Sequence, residues 1–378
     1  MLYKAPGVYV EQVPSGVRVI AAAATSVAAF IGPTDTPFAT PLVPEKVNTW
    51  QEYLDQFVDL TASATKPQMT NALYGWFTNG GGPCYILNVD PASTNLDAAL
   101  DALKAQLDVT MVAVPGLDDI TGIDAAGRPL AQKAVVNHCE AMGNRVALLD
   151  LPKGTIPTDA ANLDLGLTGL TASFAAVYYP WLQVPSAYDA SPVLIPPSGH
   201  VAGTWARTDA DRGVYKAPAN VAVNGLLDLE FTLTDDLQGP LNDKGFNCLR
   251  TFPSQGSLVW GARTQAVTDV DWRYLNVRRY VNFLSDSIKQ STQWAVFEPN
   301  NADLQARVRG TATSFLTDQW RSGALVGKTA ADAFYVVCDE TNNTPATMAQ
   351  GQLICDIGVA PTRPAEFVVF RITQTYGA

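Results

Sequence analysis

From Thr25 to Trp181, the sequence alternates between two kinds of apolar pattern. Apolar residues three and four positions apart predict helices, over residues 67–77, 96–107 and 129–142. Short runs rich in β-branched and aromatic residues predict strands, over residues 25–32, 84–89, 109–114, 145–149 and 175–181. Strands that alternate with helices form βαβ units around a mostly parallel sheet. This pattern therefore restricts the chain to an α/β fold.

The last third of the chain repeats the alternation. One helix face is predicted between Asp269 and Gln290, with apolar residues at Val277, Val281, Leu284 and Ile288. Asn301 or Asp303 can cap a second helix, and Gly323 is suited to its left-handed C-cap. The inner face of this helix would be formed by Leu304, Val308, Phe315, Leu316 and Trp320. Strands are predicted at residues 294–297, 334–338, 353–359 and 367–372. We therefore expect a second α/β layer.

The predicted strand nearest the C-terminus has no obvious partner. It consists of Phe367, Val368, Val369, Phe370, Arg371 and Ile372, and it follows the stiff segment Pro361-Thr-Arg-Pro364. A hydrophobic strand with a free edge promotes aggregation unless another strand pairs with it. Addition to the sheet of a neighbouring copy would supply the missing hydrogen bonds. The alternative is an ordinary strand within its own domain.

The first 20 residues contain two short alternating fragments, Pro6 to Glu11 and Val17 to Ile20, separated by a turn at Pro14-Ser-Gly16. They are too short to fold independently. We expect Gly7, Val8, Tyr9, Val10 and Glu11 to form an extended arm. A hairpin on the chain's own domain is the alternative.

Composition favours an assembling globular protein. A chain of 378 residues suffices for two or three domains, and 47% of its residues are hydrophobic. Only 16% are charged, against roughly 25% in typical soluble domains. The net charge of −11 argues against a nucleic-acid or anionic-membrane binder. Acidic residues outnumber basic ones two to one before Pro240, whereas the remainder is balanced.

The cysteines and the apolar runs indicate a reducing compartment. The five scattered cysteines are an odd number, which is typical of buried reduced thiols. The N-terminus lacks the pattern of a signal peptide. The longest apolar run, residues 19–31, is too short to span a bilayer. We therefore expect the chain to be made and folded in the cytoplasm.

Several segments superficially resemble enzyme motifs. Residues 322–329 lack the first glycine of a phosphate-binding loop, so a helix C-cap followed by a Thr329 cap with Asp332 is the better interpretation. Ser198, His200 and Asp209 or Asp211 offer the residue types of a hydrolytic triad without a nucleophile elbow.

Metal and phosphate sites are equally unsupported. His138 and His200 lack zinc-ligand spacing, so we expect hydrogen-bonded structural histidines. Asp150 follows a strand, where it is expected to cap a helix or loop. The glycines of residues 79–83 form a turn that no predicted helix start follows. The sequence predicts no catalytic residue, cofactor or metal.

A resemblance to a known family emerges from the order of several segments. In the last third these are residues 247–252, 259–264, 274–280, 293–300, 323–325, 334–339 and 358–370. Further segments are residues 6–11, 25–32, 76–82, 196–203, 207–213 and 216–220, together with Trp50 and Phe57. The succession resembles contractile tail sheath proteins, the family shared by contractile-tailed bacteriophages, R-type pyocins and extracellular contractile injection systems.

The resemblance implies a structural, non-enzymatic subunit. Such a subunit polymerises helically around an inner tube, and contraction drives the tube through a target envelope. The implied organisation is an N-terminal arm (1–20), two α/β sheath domains (21–195 and 196–365) and a C-terminal strand (366–378). Both arms would add strands to the sheets of neighbouring subunits.

The implied partners are other copies of the chain, the inner tube protein, and baseplate and tail-terminator or cap proteins. No nucleic-acid binding and no direct membrane insertion are expected. Four arginines on predicted helices would ordinarily be solvated or ion-paired, and in an assembly they are candidates for facing the tube: Arg278, Arg279, Arg307 and Arg309. Assembly in the bacterial cytoplasm would lead to a virion tail or an extracellular injection particle.

Two alternatives remain at this level. One is an α/β hydrolase or nucleotide enzyme that uses the predicted parallel sheet. The other is a tail-terminal or baseplate protein with the sheath fold that does not polymerise.

Overall fold

A nine-stranded sheet organises most of the chain. The computed structural model describes residues 19–36, 42–59, 66–90, 92, 96–120, 123 and 127–369. The strands up to residue 259 are β1 (Ala28–Gly32), β2 (Glu45–Val47), β3 (Cys84–Asn88), β4 (Met111–Ala113), β5 (Val146–Asp150), β6 (Ala175–Tyr179), β7 (Leu182–Pro185), β8 (Pro192–Ile195), β9 (Val221–Ala222), β10 (Asp228–Leu229), β11 (Phe246–Phe252) and β12 (Gly256–Val259). The large sheet has the order β2-β3-β1-β4-β5-β6-β11-β12-β9, and β10-β7-β8 form a second sheet.

The centre of the large sheet is parallel, as the alternating pattern predicts. All neighbours from β3 to β11 in the sheet order are parallel pairs. The strands at the two ends of the order, β2 at one and β12 and β9 at the other, are antiparallel. The predicted α/β fold is therefore confirmed.

Helices cover both faces of this sheet. They are α1 (Trp50–Phe57), α2 (Gln68–Thr78), α3 (Leu96–Leu103), α4 (Arg128–Met142), α5 (Pro157–Ala160), α6 (Ser198–Arg212), α7 (Asp235–Asp243) and α8 (Leu275–Ser291). Ala29 and Ile31 of β1 pack in one core cluster with residues of α3 and α4. Ala28 and Phe30 pack on the opposite face with residues of α1, α2 and α6. Burial on both faces explains why β1 is a continuous apolar run instead of an alternating one.

Two of these helices are in unusually close contact. A Cβ atom added to Gly199 of α6 would lie 2.3 Å from the carbonyl oxygen of Ala72 on α2. One added to Gly203 would lie 2.5 Å from the carbonyl oxygen of Trp76. Any larger side chain at these positions would push the helices apart, so the glycines of residues 196–203 have a packing role.

Smaller elements follow α8. They are α9 (Ala302–Arg321), α10 (Ala330–Ala333), β13 (Phe334–Val337), α11 (Pro345–Ala349) and β14 (Asp356–Val359). The Asn301 side chain caps α9 by accepting from the Leu304 backbone N–H, and Gly323 has a φ of 82° after the helix. Both predicted helix ends are thus confirmed. Strands β13 and β14 form a two-stranded antiparallel sheet.

The described chain divides into two compact units. Residues 22–286 and 361–369 belong to one, which we call the large unit. Residues 19–21 and 287–360 belong to the other, which we call the small unit. The sequence predicts a domain boundary between residues 195 and 196. In the structure, β6, which precedes this boundary, pairs with β11, which follows it, in one sheet. Residues 196–286 therefore fold with the first part of the chain.

Three strand predictions need comment. The strand predicted at residues 294–297 is wrong, since Gln293–Ala295 form a 3-10 helix and Phe297 has a φ of 66°. Residues 367–369 are not in a strand, and the rest of that predicted strand, Phe370 to Ile372, lies outside the described residues. The predicted N-terminal arm at Gly7 to Glu11 also lies outside them. Within the described ranges, no helix is long and apolar enough to cross a membrane.

Candidate functional site

The segment before the C-terminal residues is held on the large unit by an ion pair. The Arg263 guanidinium donates from Nε to Oε1 of Glu366 at 2.7 Å and from Nη2 to Oε2 at 2.6 Å. Arg263 Nη1 also donates to the Asn242 carbonyl oxygen at 2.8 Å, and the Tyr274 hydroxyl donates to Glu366 at 3.4 Å. The carboxylate raises the pKa of Arg263 above its usual value. A two-pronged pair of this kind fixes direction as well as position.

Other contacts hold the residues leading up to this ion pair. The Asn276 amide donates to the Thr362 carbonyl oxygen at 3.0 Å. Arg363 pairs with Asp271 at 2.9 Å on the surface. Residues 361–366 are therefore held along the large unit, and we call this segment with its Arg263–Glu366 pair the C-terminal anchor.

Directly beyond the C-terminal anchor the chain is exposed and apolar. Phe367, Val368 and Val369 have exposed fractions of 73%, 70% and 76%. Three consecutive apolar residues with such exposure are uncommon on a surface that has no partner. The segment has the residue types of a strand and lacks a strand to pair with among the described residues.

The small unit carries the complementary feature. Strands β13 and β14 pair only with each other in the described part of the chain, so each has an open edge. Tyr335 of β13 is 60% exposed. An isolated two-stranded sheet is only marginally stable in water, and additional strands would stabilise it. These open edges can accept an extended segment.

Two of the four arginines predicted to face the tube are buried in the large unit instead. Arg279 of α8 donates to both carboxylate oxygens of Asp209, at 2.9 and 2.6 Å, and both side chains are 3% exposed. The Arg278 guanidinium stacks 3.6 Å from the Trp272 ring centroid, and burial lowers its pKa to about 10. Apolar residues of α8 place this helix face inward, so neither arginine offers exposed charge.

The other two arginines lie on α9 in the small unit. Arg307 approaches Glu298 at 4.0 Å and Arg309 pairs with Asp339 at 3.2 Å. Both arginine side chains are about two-fifths exposed. Ion pairing was one of the two interpretations from sequence, and these two residues keep charge at the surface.

The residue types of a hydrolytic triad do not come together. Asp209 is bound by Arg279, and burial raises the pKa of its carboxyl although the arginine opposes the shift. The His200 ring packs against Gly75, and neither ring nitrogen has a hydrogen-bond partner among the described residues. Burial lowers the pKa of His200 to about 4. The expectation of a hydrogen-bonded His200 is therefore wrong.

The remaining enzyme-like residues have structural contacts. His138 lies 3.1 Å from Arg145, within hydrogen-bond distance. Asp150 accepts from the Ser198 N–H at 2.9 Å and so caps the start of α6, as predicted; burial raises its pKa to about 7. Thr329 and Asp332 form the predicted capping box. The described ranges contain no group of three side chains that could hold a metal ion.

Comparisons with known proteins agree with this geometry. The model of the phage tail sheath protein central domain matches residues 91–265, and that of the phage tail sheath C-terminal domain matches residues 267–375. The anti-feeding prophage helical sheath, solved in its contracted state, is 34% identical, with a TM-score of 0.80 over 99% of this chain and 100% of that one. The chain belongs to the phage tail sheath family.

Other members of the tail sheath family differ in how much of them the chain spans. The PVC sheath, from an extracellular contractile injection system in its contracted state, is 32% identical with a TM-score of 0.82 over 99% of both chains. The tail sheath protein of Enterobacteria phage T4 is 24% identical over 48% of this chain and 27% of its own length. The chain spans between 26% and 62% of the length of the curated relatives it matches.

Two features of the structure were missed from the sequence. The Glu366–Arg263 pair joins residues 103 positions apart, and only the adjacency of Glu366 to an apolar strand hints at an anchor. Phe297 is fully exposed with a left-handed backbone conformation, which a phenylalanine seldom adopts. The sequence around Phe297 favoured a strand, because no residue type there indicates a strained turn.

Proposed function

We propose that this chain is the subunit of a contractile sheath. Copies polymerise helically around an inner tube, and contraction drives the tube through a target envelope. The observation that carries the proposal is the exposed apolar segment at residues 367–369, which directly follows the largely buried Arg263–Glu366 ion pair. Similarity over nearly the full length to the AFP and PVC sheaths supports the same function.

In this proposal the C-terminal residues pair with another copy. Phe367 to Ile372 add as a strand to an open edge of the β13–β14 sheet in a neighbouring subunit, and Gly7 to Glu11 do the same from the other end of the chain. Backbone hydrogen bonds supply affinity, and alternate side chains fix the register. The C-terminal anchor sets the point from which the strand departs, so the tether stays attached while the bodies of the subunits rearrange between two states.

Further parts of the proposal concern domains and partners. Residues 1–20 and 366–378 act as arms, and the large and small units act as the sheath domains in place of the boundary predicted between residues 195 and 196. Arg307 and Arg309, which keep exposed charge, are the candidates for contacting the tube. The chain of the anti-feeding prophage (AFP) baseplate structure, at 34% identity, supports association with a baseplate. Tail-terminator or cap proteins are proposed as further partners. The subunit is made in the bacterial cytoplasm, acts in a virion tail or extracellular particle, and has no enzymatic activity.

The experiment removes the proposed strand and keeps the C-terminal anchor. A chain ending at Glu366 and the double variant Phe367→Ser/Val369→Ser are compared with Leu130→Ser, an apolar residue of α4 with a similar exposed fraction of 72%. We expect striated tubes in electron micrographs of the wild type and of Leu130→Ser. The other two variants should fold normally and form no tubes.

Normal tubes from the truncated chain would contradict strand exchange at this end. Discrete particles from the wild type, under conditions in which the tube protein is present, would contradict polymerisation and favour a baseplate or cap protein with the same fold.

A further inference from the structure

Two cysteines of the small unit lie opposite each other at one end of its sheet. The last register pair of β13 and β14 is Val337 with Asp356. Because the strands are antiparallel, one further step on each places Cys338 opposite Cys355. Both cysteines are free thiols.

The position meets the geometric requirement for a disulfide. Directly opposed residues of antiparallel strands have Cα atoms about 4.5 to 5.5 Å apart. Disulfides join Cα atoms that are roughly 4.4 to 6.8 Å apart, a range that includes this spacing. Packing against Leu304 and Val308 of α9 holds Cys338 in place. The other three cysteines are buried in β3, α4 and β11 of the large unit.

The surroundings also favour thiol chemistry. A hydrogen bond from the Cys355 thiol lowers the pKa of Cys338, and the positive charge of Arg309 acts in the same direction against the effect of burial. A thiolate is the reactive form in disulfide exchange. Cys338 is fully buried, whereas Cys355 is partly exposed and gives a small oxidant access to the pair.

We propose that Cys338 and Cys355 are a redox-sensitive pair that closes into a disulfide within the small unit. The oxidant is a low-molecular-weight disulfide. One cysteine thiolate attacks it, forming a mixed disulfide and releasing half of the oxidant as a thiol. The second cysteine loses its proton to water, attacks the bound cysteine sulfur and releases the other half. The pair loses two electrons and two protons, and the oxidant gains two electrons to become two thiols.

Closure changes the mechanics of the sheet. The disulfide joins the ends of β13 and β14 and encloses residues 339–354, which include α11. Part of this segment is already held by Asn343, whose side chain bonds both the N–H and the carbonyl oxygen of Ile354. The bond therefore secures the sheet whose edges we propose to accept the arm. Only this consequence for assembly depends on the proposed function; the disulfide itself does not.

The test treats the full-length reduced chain with oxidised glutathione and counts free thiols after denaturation. We expect the five thiols of the sequence to fall to three, and non-reducing peptide mapping to find Cys338 joined to Cys355. Cys338→Ser should yield no internal link and only a glutathione adduct at Cys355. Cys248→Ser, which removes a buried thiol of β11, should form the link as the wild type does.

Five free thiols after treatment, or adducts and links between chains without the internal one, would overturn the proposal. Circular dichroism of each variant distinguishes misfolding from lost chemistry, and a folded wild type that does not close counts against the pair. Tube formation by the oxidised and reduced chains is measured separately. Tubes lost on truncation at Glu366 while the disulfide still forms would leave the redox pair intact and locate the defect in assembly.

Discussion

At the scale of single residues, two ion pairs with little solvent exposure hold segments of the large unit in place. Arg279 with Asp209 and Arg263 with Glu366 each form two-pronged pairs with little solvent exposure. Charges buried in this way need all of their hydrogen bonds. Removing one partner leaves the other as an uncompensated buried charge. The two pairs fix α8 and the C-terminal anchor in defined positions. The two ion pairs therefore determine where these segments lie, in addition to contributing to stability.

The C-terminal anchor can be tested with Glu366→Gln. The change removes the charge opposite Arg263 and should cost about 1 to 3 kcal/mol of unfolding free energy, the range for hydrogen bonds to charged groups. Hydrogen exchange of residues 361–366 should rise. Asp271→Asn, which breaks the surface pair with Arg363, is the matched control and should cost under about 0.5 kcal/mol. Equal losses of unfolding free energy in the two variants would show that burial of the Arg263–Glu366 pair does not add to stability.

His200 predicts a pH dependence of stability. Its pKa is lowered by burial from 6.5 to about 4, so the unfolded chain binds a proton there more readily than the folded one. Stability from this residue is present above pH 6.5 and is lost as the pH falls towards 4. His200→Asn should flatten the dependence of unfolding free energy on pH in that interval, by roughly 3 kcal/mol in total.

The measurement is chemical denaturation of both proteins from pH 7.5 to 4.5. Asp150, whose raised pKa of about 7 acts in the opposite direction, is common to both and cancels in the difference. A difference that stays constant with pH would mean that His200 is not held neutral.

At the scale of elements, the contact between α2 and α6 is so close that it requires glycine at two positions. Gly199 and Gly203 of α6 meet backbone atoms of α2, and the Asp150 carboxylate caps the first residue of α6. Trp76 and Trp205 from the two helices are fully buried in the same cluster. The pair forms a rigid layer on one face of the parallel sheet.

Gly203→Ala should weaken this layer. The added methyl group would lie 2.5 Å from the Trp76 carbonyl oxygen, so the helices must separate at a cost of about 1 to 3 kcal/mol. Gly239→Ala is the control, because Gly239 lies within α7 and a Cβ there meets no atom within 4 Å. The alanine gains helix propensity, but the following Pro240 restricts its backbone, so the control should stay within about 1 kcal/mol of the wild type. A similar loss from both variants in urea denaturation would contradict close packing as the cause.

Sequence predicted the elements better than their connections. Five strands and three helices between Ala28 and Tyr179 (β1, β3 to β6 and α2 to α4) and the caps of α9 follow local patterns, so periodicity and capping residues were enough to place them. The short elements β2, α1 and α5 were not predicted. The pairing of β11 with β6 joins strands about 70 residues apart, and no local signal reports it. Arg278 and Arg279 look like surface charges by residue type, and only the inward-facing side of α8 reveals that they are buried. Side chains such as Glu366 acquire a role only from what the fold brings beside them.

At the scale of the whole molecule, the two compact units differ in their hydrophobic cores. The large unit contains two extensive clusters of buried apolar residues, one on each face of its sheet. In the shorter small unit, Leu304, Val308 and Cys338 form one small cluster, and Phe315, Leu316, Leu325 and Phe334 are buried as well. A smaller core supplies less stabilisation per residue. The unit that offers open strand edges is thus the less strongly stabilised one.

This difference predicts two unfolding steps. Hydrogen exchange measured at increasing urea concentrations should show amides of α9, β13 and β14 losing protection before those of β1, β4 and β5. Oxidation of the Cys338–Cys355 pair should move the first step to higher urea and leave the second unchanged. Simultaneous loss of protection in all six elements would contradict separate units.

The order in which the chain builds its two units has a mechanical consequence. The polypeptide crosses between them three times, after residues 21, 286 and 360. Severing any single crossing leaves the two bodies tethered by the remaining two. Residues 19–21 and 361–366 are held on their units by non-covalent contacts, including the bond from the Ala21 N–H to Ser291 Oγ and the Arg263–Glu366 pair. The crossing after residue 286 is therefore the covalent link between the bulk of the two units, and the other two crossings restrain them only as strongly as those contacts hold.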